Sequence, residues 1–383
     1  MAFDLPRRQL LVAGAALLTP RLAFAAAPTE RRFVFIIQRG AADGLGILAP
    51  VGDPAFAGLR GDLAADFDGA ARIDGMFALH PKLATIGGLY AQKQALFLHA
   101  VASPYRDRSH FDGQNVLETG GEAPYRLCDG WMNRLLTLLP AGEGALAVST
   151  TIPAALRGRM PVTNYAPSSL PEPTSDFDTR LGALYAGDAQ LHALWTSALA
   201  TKARAGKASG SHGGGVQAAA ATGSLAAALM RGPAGARVAM IETNGWDTHT
   251  GQRTRLSQQL AALDAMVGAL QQGLGADWGQ TVVLIATEFG RTAAANGTGG
   301  TDHGTGSLAM LLGGGVAGGR VLADWPGLAP AQLFENRDLR PTQPLDGAIA
   351  GALAGHYGLD PARTLARLFP AAEGRATDGL VAA

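Results

Sequence analysis

LIATEFGRTAAANGTGGTDHGTGSLAML, Leu284 to Leu311, is the stretch that decides how this chain is read. An apolar run stops at Glu288. Arg291 follows, then Asp302 and His303, and a second apolar run begins. A short run that is apolar throughout reads as a strand covered on both faces, as in a parallel sheet flanked by helices. In such a sheet ligands bind outside the carboxyl ends of the strands. The acid, the arginine and the Asp-His pair therefore predict one wall of a site. Gly290, Gly297, Gly299, Gly300, Gly304 and Gly306 let the backbone turn tightly between them.

Working outward, the same pattern recurs. Residues 33–38, 95–101, 146–151, 237–243, 281–287 and 308–312 all read as buried strands. None alternates polar and apolar residues. Helices are expected over 80–92, with Pro81 in the first turn, and over 252–274. In the latter Leu256, Leu260, Leu263, Val267 and Leu270 recur at helical spacing. Two more are expected over 344–357 and 361–368. Strand, helix, strand across 237–287 predicts a βαβ crossover. The fold class is α/β, with a mainly parallel central sheet and helices on both faces. Residues 26–383 read as one domain with a flexible insertion near 166–224. That insertion holds a helical stretch at 181–200 and a Gly-Ser loop at 205–215. His212, in that loop, reads as solvent-exposed.

Composition narrows the function. At 47% hydrophobic and 16% charged, the 383 residues can build a sizeable core. Disorder of the whole chain is excluded. Basic and acidic residues balance at 31 each, so no charge excess points to nucleic acid. Arg7 and Arg8, the apolar stretch Leu10 to Leu18, and Ala23-Phe24-Ala25 read as a cleavable leader over residues 1–25. The paired arginines give it a twin-arginine character. A Sec leader with two arginines is the alternative. Nine apolar residues are too few to span a bilayer, so no integral membrane segment is expected after leader removal. The mature chain then carries 28 basic and 30 acidic residues, a net charge of −2. These features predict a periplasmic or secreted protein that engages the twin-arginine export machinery transiently. Cys128 is the only cysteine; it can form no internal disulfide and reads as buried packing.

Four clusters of chemically capable residues fall at or just beyond predicted strand ends. Arg39 and Asp43 follow the first strand. Arg106, Arg108, Ser109, His110 and Asp112 follow the second. Asp247 and His249 follow the run at 237–243, and Glu288, Arg291, Asp302 and His303 complete the set. Mixed carboxylates and imidazoles suit Zn, Mn or a similar divalent ion better than all-oxygen sites do. Asp247 and His249, two apart on an extended segment, point to one side. Asp302 and His303 are adjacent and need an irregular loop to face one ion. Each element also has a plainer reading. Asp43 before Gly44 suits a turn. Ser109 suits a helix N-cap, with Asp112 three residues on. Arg291 suits a pair with Glu288. His80, His99, His192 and His356 read as structural, His80 and His99 because neither has an acidic neighbour in the sequence.

Gln38-Arg-Gly-Ala-Ala-Asp-Gly-Leu, Ser109-His-Phe-Asp-Gly-Gln, Gly245-Trp-Asp-Thr-His, Thr287-Glu-Phe-Gly-Arg-Thr and Gly299-Gly-Thr-Asp-His-Gly resemble the DUF1501 family of exported bacterial proteins. That family in turn resembles the alkaline phosphatase and sulfatase superfamily. The resemblance implies an alkaline phosphatase-like fold and a divalent metal cofactor, at one or two sites at the strand ends. It implies Asp43, Asp247, His249, Glu288, Asp302 and His303 as metal ligands and Ser109 as nucleophile. His110 or His303 would protonate the leaving group, and Arg291 would neutralise ester oxygens. The chain departs from the superfamily at Glu288-Phe289, where Asp-His is usual. The implied activity is hydrolysis of a phosphate or sulfate ester on a small molecule or polymer. The alternative is a non-catalytic protein that uses the same site to bind an anionic ligand or partner.

Overall fold

The structure is a computed structural model that describes residues 29–166, 173–206 and 214–382. The expected leader, His212 and most of the 205–215 loop lie outside the described residues.

Eleven strands are described, in chain order β1 (Arg32–Gln38), β2 (Leu48–Ala49), β3 (Ala78–Leu79), β4 (Ala95–Ala102), β5 (Ala145–Val148), β6 (Val162–Asn164), β7 (Val238–Thr243), β8 (Thr281–Ala286), β9 (Ser307–Leu312), β10 (Arg320–Leu322) and β11 (Gln343–Pro344). Nine form one sheet in the order β10-β4-β9-β8-β1-β7-β5-β6, with β11 beside β4. β1 lies at its centre, parallel to both β7 and β8. Every residue of β1 is buried. Its side chains alternate between two cores, as a period of two requires. Val34 and Ile36 pack on one face, with Leu260, Val267 and Leu270 of the Gln252–Leu274 helix. Phe33, Phe35 and Ile37 pack on the other, with Trp131 and the Leu345–Tyr357 and Pro361–Leu368 helices. The fold is thus α/β, with a mostly parallel sheet covered on both faces. Each fully buried Leu, Val or Ile contributes about 1.5–3 kcal/mol, an upper bound for a chain already partly compact when unfolded.

The order β8-β1-β7, with the Gln252–Leu274 helix between β7 and β8 in sequence, is the expected βαβ crossover. One strand runs against the rest. β9 is antiparallel to both β8 and β4, so it begins at the edge where β8 ends. The segment between them therefore leaves and re-enters the sheet along its carboxyl edge.

Several boundaries differ from expectation. The helix expected over 80–92 spans Ala84–Ala91, and Pro81 precedes it. The stretch expected over 181–200 is two helices, Ser175–Tyr185 and Ala189–Ala205. β6, β10 and β11 are two or three residues long and carry too little pattern to read. Cys128 is exposed, not packed in the core. Among the described residues, no helix is long and apolar enough to cross a membrane.

Candidate metal centre

The segment between β8 and β9 folds back on itself. Arg291 and His303 form an antiparallel bridge. The Thr292 amide donates to the Asp302 carbonyl at 2.8 Å, and the Gly304 amide to Gly290 at 2.8 Å. A Cβ on Gly290 would meet the Gly306 carbonyl at 1.8 Å, and one on Gly304 the Arg291 carbonyl at 2.3 Å. These glycines are needed because the two arms touch backbone to backbone. The fold-back is what carries His303 to the sheet edge.

Three imidazoles meet there around Asp247. His110 opens the His110–Thr119 helix after β4. His249 and Asp247 lie on the segment after β7. The Nε2 atoms of His249, His303 and His110 lie 3.0, 3.4 and 3.5 Å from Asp247 carboxylate oxygens. Each Nδ1 has its own acceptor. His110 Nδ1 is 2.9 Å from Glu288 Oε1, His249 Nδ1 is 3.0 Å from Asp302 Oδ1, and His303 Nδ1 is 2.9 Å from the Arg108 carbonyl. A carbonyl or an ionised carboxylate only accepts. With a cation beside the Asp247 carboxylate, the proton of each neutral ring sits on Nδ1 and the Nε2 lone pairs face inward.

That arrangement fits a cation. His249 Nε2 and His303 Nε2 lie 3.0 Å apart, a spacing satisfied by a shared ring proton or by a cation between the two lone pairs. His110 Nε2 is buried without a hydrogen-bond partner. Ligand atoms of His110, Asp247 and His303 all lie within 4.8 Å of one another. A second nitrogen tied to a carboxylate or carbonyl is how metal-binding imidazoles are held in orientation. The donor set, imidazoles plus one carboxylate, suits Zn and its neighbours.

The electrostatics follow from these contacts. The Glu288 hydrogen bond raises the His110 pKa, against burial, which lowers it. Burial, then the nearby His110, lowers that of His303. Burial pushes Asp247 up, but hydrogen bonding and charge from Arg291 outweigh it and hold the carboxyl low. The His249 hydrogen bond lowers Asp302. Glu288 is fully buried, yet its bonds from His110 and Gln114 overcome desolvation and keep it low.

The predicted residues thus separate into groups. Asp247, His110, His249 and His303 converge. Glu288 and Asp302, expected as ligands, stand behind the imidazoles. Glu288 Oε1 accepts from the Gly40 amide at 2.8 Å, from Gln114 at 3.0 Å and from His110, while Oε2 accepts from Thr287 at 2.9 Å. Three donors thus meet on Oε1, and Glu288 stands at the Nδ1 side of His110, away from the Nε2 atoms. Asp302 Oδ1 is shared between His249 and Asn296. Asp43, also expected as a ligand, is buried and bound by Arg60 and Gln252. Both bonds fall on Oδ2, so the charged partner of Asp43 in this structure is Arg60 and not an imidazole of the cluster. Arg291 pairs with Asp247 at 2.6 Å, not with Glu288. Arg39 is held by Glu118, Glu242 and Gln114.

Ser109 occupies the N-cap position, but its hydroxyl makes no capping bond. Asp112 closes no capping box with it. The N–H groups of the first helical turn have no intrahelical partner and favour an anion. His99 and His356 are structural, each with Nε2 on a backbone carbonyl. His80 gains a neighbour invisible in the sequence, Asp66 at 3.7 Å.

Sequence reasoning missed several supports. Phe289, next after Glu288, is the plate under His110, with ring centroids 5.1 Å apart and planes at 22°. Gln252 accepts from Thr248 at 2.9 Å and Thr301 at 2.6 Å, tying the start of its helix to the fold-back. The position of Gln252, first in its helix and just after the Asp247–His249 motif, was the only signal available for it.

Residues 99–369 match the family described as "Protein of unknown function (DUF1501)", more than half of the chain. The protein belongs to that family. No curated protein matches it. Among solved structures it is similar to Ps i-CgsB in complex with k-i-k-neocarrahexaose, at 11% identity and TM-score 0.39, covering 90% of this chain and 76% of that one. It is also similar to the C-terminal periplasmic domain of EcEptC from Escherichia coli in complex with Zn, at 10% identity and TM-score 0.35, covering 74% and 73%. A third is a 2-O GAG sulfatase, at 9% identity and TM-score 0.35, covering 90% and 72%. Likeness at these scores assigns no activity.

Proposed function

We propose that the protein is an exported, metal-dependent hydrolase of a phosphate or sulfate ester. One observation carries this reading: three imidazoles, each fixed through Nδ1, aim Nε2 at one carboxylate. His110, Asp247 and His303 would hold the ion, with His249 completing the set. The ion would supply Lewis-acid charge to anionic ester oxygens.

The remaining work belongs to the chain. The free amides at the start of the His110–Thr119 helix receive ester oxygens. Ser109 is the proposed nucleophile, since its hydroxyl is unused as a cap and it directly precedes His110. Arg291 keeps Asp247 ionised and fixed, so it is a positioning residue. Glu288 and Asp302 hold the tautomers of His110 and His249. The expected acid role of His110 and His303 gives way to ligation, because their Nε2 atoms face Asp247.

The exported location rests on Arg7, Arg8 and the leader pattern of residues 1–25. Elemental analysis of the purified chain, with aryl phosphate and aryl sulfate assays under added Zn or Mn, tests the reading. Bound metal and turnover that Ser109→Ala abolishes are expected. A protein that binds no metal and turns over neither ester ends it.

The pairing of Asp43 with Arg60 favours a second reading, a non-catalytic protein that binds an anionic ligand at one metal. Unchanged ligand affinity in Ser109→Ala, with no turnover in the parent, would select it.

A further inference from the structure

The carboxyl ends of β4 and β11 border a cavity of about 420 Å³, within the ~300–1,000 Å³ range of small-molecule pockets. None of the four residues that converge at the metal centre lines it. The helix that starts at that centre reaches the cavity only with Val116, Leu117 and its C-cap, Gly120. Leu345, Ile349 and Phe369, all buried, complete an apolar wall.

Two opposite charges line the same cavity, Arg106 and Asp346. Among the described residues neither has an ion-pair partner, and they are not paired with each other. Arg106 Nη1 donates to the carbonyls of Ser103 and Tyr105. Those bonds tether the guanidinium and leave Nε and Nη2, one edge of its fork, without an acceptor among the described residues. Such an edge matches the two oxygens of a carboxylate. Asp346 Oδ1 accepts the Gly347 amide at 2.8 Å, which leaves Oδ2 open. Burial lowers the Arg106 pKa with no acid opposing it. Burial raises that of Asp346, opposed only by backbone amides. Charges removed from water without an opposite partner shift in this way. Thr342, also on the wall, has a buried Oγ1 with no hydrogen-bond partner, and buried polar atoms are normally satisfied. Two exposed acids, Glu122 and Glu373, line the cavity as well.

We propose that this cavity binds a small zwitterion with an apolar body, a short peptide with both ends free. The peptide carboxylate takes the open edge of Arg106 and the ammonium takes Asp346 Oδ2. Apolar side chains lie against the Leu117, Ile349 and Phe369 wall, and the Thr342 hydroxyl offers the peptide bond a partner. A plain carboxylate would leave Asp346 unpaired and be repelled by Glu122 and Glu373. A plain amine would leave Arg106 unpaired. The site does not depend on the hydrolase reading.

Equilibrium dialysis of the full chain against leucyl-leucine, N-acetyl-leucyl-leucine and leucyl-leucinamide tests it. The first peptide carries both charges, the second lacks the ammonium and the third lacks the carboxylate. Leucyl-leucine is expected to bind, and each blocked form to bind about tenfold less tightly or worse, as the loss of a charged hydrogen bond requires. Arg106→Gln should no longer distinguish leucyl-leucine from its amide. Asp346→Asn should no longer distinguish it from the acetylated form. The peptide series needs no substitution, so it decides the matter even if a variant fails to fold. Absence of leucyl-leucine binding overturns the proposal. So does an acetylated peptide that binds as tightly, which would make this an anion site, or an amide that does, which would make it a cation site. An Arg106→Gln variant that keeps the parent's preference overturns it too. None of these outcomes turns on metal content or ester turnover, so the proposal and the hydrolase reading fail separately.

Discussion

His110, His249 and His303 contrast with His99 and His356, and the difference lies in what each ring nitrogen touches. His99 is wholly buried, with Nε2 2.8 Å from the Leu48 carbonyl and Nδ1 accepting the Ala100 amide at 2.9 Å. His356 sets Nε2 2.9 Å from the Arg32 carbonyl. Burial pushes both down to about 4. These rings bond backbone and pack. The other three give Nδ1 to an acceptor and aim Nε2 at a shared carboxylate. Burial alone does not separate the two sets; what Nε2 faces, a backbone carbonyl or a shared carboxylate, does.

That contrast can be broken most directly at Asp247. Asp247→Ala should abolish metal binding, measured by elemental analysis after dialysis against Zn. If it retains a full equivalent, the imidazoles are not a metal centre.

Asp43 should behave as a packing acid. Asp43→Ala leaves Arg60 buried and unpaired, and should cost about 3–5 kcal/mol in denaturant unfolding, with metal content retained. Loss of metal without loss of stability would return Asp43 to the site.

Acid should act on the packing pair. His99 and His356 are neutral in the fold, with pKa values depressed from 6.5 to about 4. Their contribution is full above about pH 6.5 and is lost as pH falls toward 4. Each shift corresponds to about 3 kcal/mol. Thermal melts between pH 7 and 4 should show this decline even in Asp247→Ala. A flat profile in that variant would mean that these two rings do not titrate as packing groups.

The supports behind the imidazoles should give the smallest effects. Glu288→Gln should weaken metal binding about 10–100-fold, read by competition with a chelator. Asp302→Asn should fall near the lower end of that range, about tenfold, because Asp302 is exposed and water can replace it. Equal effects would mean that the burial of Glu288 adds nothing to its hold on His110.

Much of this was legible in the residues. The apolar runs predicted the long strands of the central sheet to within a few residues, because strands covered on both faces carry no polar positions. The helical spacing from Leu256 to Leu270 fixed the Gln252–Leu274 helix. The acids and histidines of the site were all visible as motifs at strand ends. The division of roles among them was not. Glu288, Asp302 and Asp247 look alike as letters, yet Asp247 faces the imidazole Nε2 atoms while the other two sit behind Nδ1. Asp43 looked like a ligand because Arg60, 17 positions away, gave no sign of pairing with it.

The sequence by itself determined the α/β class, the two-faced core and which residue types gather at the carboxyl edge, since local periodicity and burial are written into consecutive residues. Only the tertiary structure decided that β9 runs antiparallel, that the glycine-rich fold-back therefore brings His303 to His110 and His249, and that a guanidinium pairs with Asp43. Strand direction and partner choice arise from contacts between segments far apart in the chain, and no short window of sequence contains both sides of such a contact.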